Sequence, residues 1–171
     1  MLTDSRPSRR RFLALAATAV SLSIAATAVP RIARAYDDRA TTALNVDAKG
    51  IALKGFDPVS YRSPNGPAQG KPELSAKHEG ATYLFATAAN RDAFKADPGK
   101  YAPAFGGFCA MGVALNKKLD VDPQLWRIVD GKLYLNVHKG AQTRWLEDPK
   151  GNIAKAAANW PDIKNKAPNA L

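Results

Sequence analysis

The chain has 171 residues, 25 of them Lys or Arg and 15 Asp or Glu, for a formal charge of +10. A single cysteine, Cys109, rules out an internal disulfide and haem attachment through C-x-x-C-H. No basic run with interleaved aromatics occurs, so the charge reads as a solvated surface and nucleic acid is not an expected partner.

The first 35 residues read as an address. Ser8-Arg9-Arg10-Arg11-Phe12-Leu13 is a twin-arginine signature. An uncharged, alanine-rich stretch follows from Leu13 to Val29, then Ala33-Arg34-Ala35 as a small-x-small cleavage pattern. The stretch is too short and too weakly apolar for a comfortable span, which needs about 20 strongly apolar residues. The expected product is therefore exported to the periplasm without a membrane anchor. Removing residues 1–35 takes away six basic residues and one acid, leaving 136 residues with 19 basic and 14 acidic, a charge of +5. That length suits one domain with a core of its own. The twin-arginine route carries folded proteins, so a cofactor inserted before export is one reason to use it.

Residues 36–54 read as a lead-in with little periodicity. Asp57-Pro58 predicts a turn, and Val59-Ser60-Tyr61 a short alternating strand. The Pro- and Gly-rich loop 63–72 should be exposed. A hairpin is expected next, with Glu73–His78 and Ala81–Ala86 as arms around Glu79-Gly80. Thr87 stands where an N-cap belongs, a helix over Ala88–Ala96 follows, and Asp97-Pro98-Gly99 stops it. A second hairpin joins Trp126–Val129 to Leu133–Val137 through Asp130-Gly131-Lys132. Helices are predicted over Ala141–Glu147 and Asn152–Trp160, the latter ended by Pro161, with a frayed tail over 164–171. No repeat of the usual lengths is visible. The expected fold is α+β: small antiparallel hairpins, short helices and a helical C-terminus.

His78-Glu79-Gly80-Ala81-Thr82-Tyr83-Leu84-Phe85, then Phe94, then Asp97-Pro98-Gly99-Lys100-Tyr101 resembles the YHS domain, and Asp57-Pro58-Val59 resembles its opening segment. The run Gly106-Gly107-Phe108-Cys109-Ala110 and the region 126–160 look like exported YHS-domain-containing proteins of bacteria. The resemblance implies a single YHS-like domain over 55–163. Metal-binding relatives place cysteines after D-P-V, after Y-x-F and four residues further on. Here those positions are Ser60, Ala86 and Asn90, which supply no thiolate. Only His78 remains a donor at a family position.

The remaining chemistry gathers at "FGGFCAMG", residues 105–112. Cys109 and Met111 are soft ligands suited to Cu(I), and Cys-x-Met on a strand would put both sulfurs on one face. His78 and His138 are the only imidazoles that could join them, so Cys109, Met111, His78 and His138 form the candidate copper site. Against this stand a core cysteine beneath Phe108 and a reactive thiol. Taken singly, His78 reads first as a turn-flanking, partly exposed histidine, and His138 as a strand-end surface residue. Cys109 with either histidine is the one nucleophile–base pairing available, since the aspartates sit at turns. An aromatic cleft of Tyr61, Tyr83, Phe85, Tyr101, Phe105 and Phe108 is the other binding candidate, with ordinary core as its alternative. The expectation is a monomeric binding protein rather than an enzyme, its ligand a soft metal, or else a small molecule or protein partner.

Overall fold

A computed structural model of the chain describes Met1 and residues 36–171; the export signal read at 2–35 lies outside the described residues. Strand β1 (Lys71–His78) pairs antiparallel with β2 (Ala81–Phe85), and β3 (Asp122–Val129) with β4 (Lys132–Asn136), giving two separate two-stranded sheets. Helices α1 (Ala88–Ala96) and α2 (Pro98–Tyr101) follow the first hairpin, and α4 (Lys139–Glu147) and α5 (Pro149–Ile163) follow the second. The short helix α3 (Ala110–Ala114) lies between them and packs on α5. The fold is α+β with a helical C-terminal part, as the sequence predicts.

The two halves are copies of one unit. Every paired position of the first hairpin recurs 51 residues later, from Lys71↔Phe85 and Asp122↔Asn136 to His78↔Ala81 and Val129↔Lys132, with the same irregularity after the first pair. Both turns hold an acidic residue and a glycine at positive φ: Glu79 (49°) and Gly80 (89°), Asp130 (47°) and Gly131 (75°). Thr87 and His138 cap α1 and α4 from equivalent sites. Asp97 and Asp148 then cap α2 and α5, each with proline as the first helical residue, where its missing N–H costs nothing. Ahead of each hairpin, three residues run through the left-handed region: Leu53, Lys54 and Gly55 at φ 55°, 52° and 83°, and Phe105, Gly106 and Gly107 at 52°, 59° and 84°. The chain therefore carries a repeat that the search for usual lengths passes over.

The copies share one core. Tyr61, Tyr83, Phe85 and Phe94 of the first pack in the same cluster as Cys109, Leu133, Leu135 and Trp145 of the second. Phe94 and Trp145 are equivalent, and both are fully enclosed. Tyr61 meets Trp126 edge-on, with centroids 5.4 Å apart, across the join.

Several local expectations are corrected. Val59-Ser60-Tyr61 is no strand: Ser60–Arg62 forms a turn of 3-10 helix. The Asp57 carboxylate accepts from the amides of Val59 and Ser60 and curls the chain there. The lead-in is structural. Asn45 is buried and donates to the Gly107 carbonyl and the Asp120 carboxylate, both at 3.1 Å. Gly106 is required at this crossing, because a Cβ on it would lie 1.8 Å from the Ala43 carbonyl oxygen. Helix α5 runs through Pro161 to Ile163, whose side chain is completely buried. Burying an isoleucine contributes about 1.5–3 kcal/mol, enough to offset most of the ~3 kcal/mol an interior proline costs. Residues 164–171 are docked rather than frayed. Leu171 packs, as Tyr36 and Trp160 do, against the buried cluster that holds Phe108 and Ile163, and the Asn169 amide donates to the Asp38 carbonyl at 2.9 Å.

Lys118 holds this region together. Its side chain is fully buried, and Nζ donates to the carbonyls of Thr42 (2.7 Å), Lys164 (2.9 Å) and Lys166 (2.8 Å) while standing 4.7 Å above the Phe108 ring. An ammonium has three donors, and all three are used.

Candidate functional site

Cys109 is the N-cap of α3, not a strand residue. Its Sγ accepts from the Gly112 amide at 3.4 Å. The Cys-x-Met geometry expected of a strand is thus replaced by that of a helix entry, with Met111 inside the first turn. The sulfur is fully enclosed, 3.7 Å from Asn136 Oδ1, which also accepts from the Met111 amide at 3.4 Å. Burial pushes the thiol above its ordinary value of 9.0; the amides of Gly112, Val137 and Met111, all directed at the sulfur, pull the other way and only partly offset it.

Those amides recur in the first copy. There the buried Asp57 carboxylate accepts from Val59 (2.8 Å), Ser60 (3.4 Å) and Ala86 (2.9 Å), and from the Asn90 side chain at 2.6 Å. Val59 and Ser60 stand two and three residues after Asp57, as Met111 and Gly112 stand after Cys109, and Ala86 is the hairpin equivalent of Val137. One amide nest therefore serves a carboxylate in one copy and a thiol in the other.

A cavity of about 320 Å³ opens beside the second nest. Cys109 and Met111 form part of its floor, Leu115, Leu119, Val137 and Ala141 its walls, and Lys117, His138 and Arg144 reach its edge. Three of the four residues in the candidate copper site are thus brought to one cavity. His78 is not: it ends β1 at the other hairpin, edge-on to Phe94 at 5.8 Å and 3.9 Å from the Glu79 carboxylate.

His138 is exposed at the strand end, and its Nδ1 accepts from the Ala141 amide at 3.1 Å as the cap of α4. A neutral imidazole that accepts at Nδ1 carries its proton at Nε2, so the ring offers a donor and no lone pair. To ligate a metal it must give up the cap. The donor set therefore fits a metal poorly, and among the described residues no cluster of three His, Cys, Asp or Glu side chains is placed to hold an ion. The same commitment leaves the ring without a basic nitrogen for the Cys109 thiol.

The aromatic cleft does not form as a unit. Tyr61, Tyr83 and Phe85 are core, Phe105 and Phe108 pack on Trp160, and Tyr101 lies apart beneath the Arg62 guanidinium. Another hollow, of about 540 Å³, lies among residues 36–48 and Phe108 and is lined by none of the four candidate residues. Sequence reasoning missed Arg144, Lys117 and the walls at Leu115 and Leu119. No family model, curated protein or solved structure matches the chain. Among the described residues no helix is long and apolar enough to cross a membrane.

Proposed function

We propose that this is an exported, YHS-like periplasmic binding protein, not an enzyme, and that the cavity at Cys109 takes a small organic anion with an apolar body. One observation carries the reading: apolar walls end at an edge supplied only with donors, namely Lys117, Arg144 and the His138 Nε2–H. Among the described residues, neither the Arg144 nor the Lys117 side chain is engaged in an ion pair or hydrogen bond. An arginine free in this way suits a carboxylate bound through two parallel hydrogen bonds. A cavity of about 320 Å³ lies at the small end of the range for ligand sites, which run from about 300 to 1,000 Å³.

Octanoate is a probe of that size. Calorimetry should show it binding, octylamine failing to bind, and Arg144→Glu weakening octanoate by at least about tenfold, the equivalent of ~1.4 kcal/mol. Equal binding of octanoate and octylamine would overturn the reading. A Cu(I) ion is the second reading, favoured by Cys109 and Met111 standing together in the lining of one cavity. It is supported instead if elemental analysis finds one copper per chain that Cys109→Ser and Met111→Leu both abolish.

A further inference from the structure

The cavity at Cys109 has a neighbour. A smaller hollow of about 220 Å³ shares Met111, Leu115 and Arg144 with it, so the two adjoin across these side chains. The polar groups of the smaller hollow are largely of the opposite kind. Glu147 lines it, and among the described residues its carboxylate has no ion pair or hydrogen bond. Asp148 follows, with Oδ1 spent on the Gly151 amide as the cap of α5. Asn152 lines it too and is only 7% exposed. Its Nδ2 gives both protons to carbonyls, those of Arg144 (3.4 Å) and Trp145 (3.2 Å). That leaves Oδ1, an acceptor without a donor among the described residues, as the atom Asn152 offers to a ligand. Lys155 is the one cation there besides Arg144, and it is exposed.

Donors thus stand on one side of Arg144 and acceptors on the other. The fold itself does not ask for this arrangement. In the first copy, 51 residues earlier, α1 carries Ala93 and Ala96 where α4 carries Arg144 and Glu147, and the same unit forms without them.

We infer that the ligand of this site is an amino acid with an apolar side chain. The side chain fills the cavity at Cys109, the carboxylate lies on Arg144, and the ammonium turns to Glu147 and the Asn152 Oδ1. An ammonium carries three donors and no acceptor, so it needs what the smaller hollow supplies and the edge of the larger one lacks. The inference rests on the carboxylate reading above and narrows its ligand class.

The test is calorimetry of the folded protein with octanoate and with each enantiomer of 2-aminooctanoate, which has the same carbon chain. One enantiomer should bind about three- to tenfold more tightly than octanoate, the worth of a charge-assisted hydrogen bond partly open to water. It should also bind more tightly than its mirror image, because side chain, carboxylate and ammonium are each held at a different place. Glu147→Gln removes the charge from an exposed side chain and keeps its shape, so the fold is left alone. It should reduce the preference for the amino acid while octanoate binds as well as before or better, a crossover that a loosened fold would not produce. Octanoate binding at least as tightly as both enantiomers overturns the inference and leaves the carboxylate reading standing. So does equal binding of the two enantiomers, or a preference that Glu147→Gln leaves undiminished. If neither octanoate nor 2-aminooctanoate binds, both fall.

Discussion

Asp57 and Cys109 occupy the same position in the two copies of the repeat: each side chain receives the amides two and three residues ahead of it and one from the end of the adjoining strand. The nest suits a charge, and only the first copy supplies one.

Asp57 should therefore matter most to stability. Its carboxylate answers three backbone amides and the Asn90 side chain in a buried place. Asp57→Ala strands all four donors and should cost about 3–5 kcal/mol, as breaking a buried charged network does. Urea denaturation of native and variant protein measures it. A loss below ~1 kcal/mol would mean that water takes over the nest without penalty.

The Cys109 thiol should be inert. Iodoacetamide should modify the native protein far more slowly than the denatured chain near pH 8, because the sulfur is enclosed and burial disfavours its thiolate. The folded state keeps the thiol proton to higher pH than the unfolded state. This contribution to stability is thus complete below the ordinary value of 9.0 and lost as pH rises past it. Rapid labelling of the folded protein at neutral pH would restore the reactive-thiol reading.

Alkaline titration should show a second loss on top of this. Burial raises the phenols of Tyr36 and Tyr83 to about 12, and raises Tyr61 and Tyr134 as well. Between the ordinary value of 10.0 and about 12 the unfolded chain holds fewer protons than the folded one, so stability falls as pH rises through that window. Absorbance at the phenolate band should rise together with unfolding by circular dichroism. Independent titration of all five tyrosines near pH 10, before any unfolding, would contradict the burial described above.

His138→Asn should keep α4 capped, whereas His138→Ala should lose about 1 kcal/mol, the usual worth of an N-cap. Octanoate binding separates the two roles of the ring. His138→Ala should weaken it by removing a donor at the cavity edge, and Arg144→Glu should weaken it more, by adding repulsion.

Much of the framework is legible in the residues. Helix α1 falls on the predicted Ala88–Ala96 because Thr87 announces it, and both hairpins centre on an acidic residue followed by glycine. The repeat is hidden because only seven of the 31 residues from Lys71 to Tyr101 match their counterparts at 122–152, among them Gly80, Tyr83, Leu84, Asp97 and Pro98. Those are turn, core and cap positions, where geometry restricts the choice, while the exposed faces between them have diverged freely. Val-Ser-Tyr misleads because three residues cannot separate a strand from a turn that a preceding carboxylate bends. Of the candidate site, Cys109, Met111 and His138 are found from residue type alone. What residue type does not reveal is that the imidazole is already engaged with the backbone, or that Arg144, nearly two helical turns further on, lines the same hollow.

Lys118 leaves the order of assembly little freedom. Its ammonium needs carbonyls from both Thr42 and the Lys164–Lys166 stretch. A nascent chain still missing that stretch must leave a desolvated cation short of two acceptors, or keep the surrounding cluster open. Closure of the fold therefore waits on residues 164–166: that stretch must have emerged before the segment around Thr42 can be locked in place.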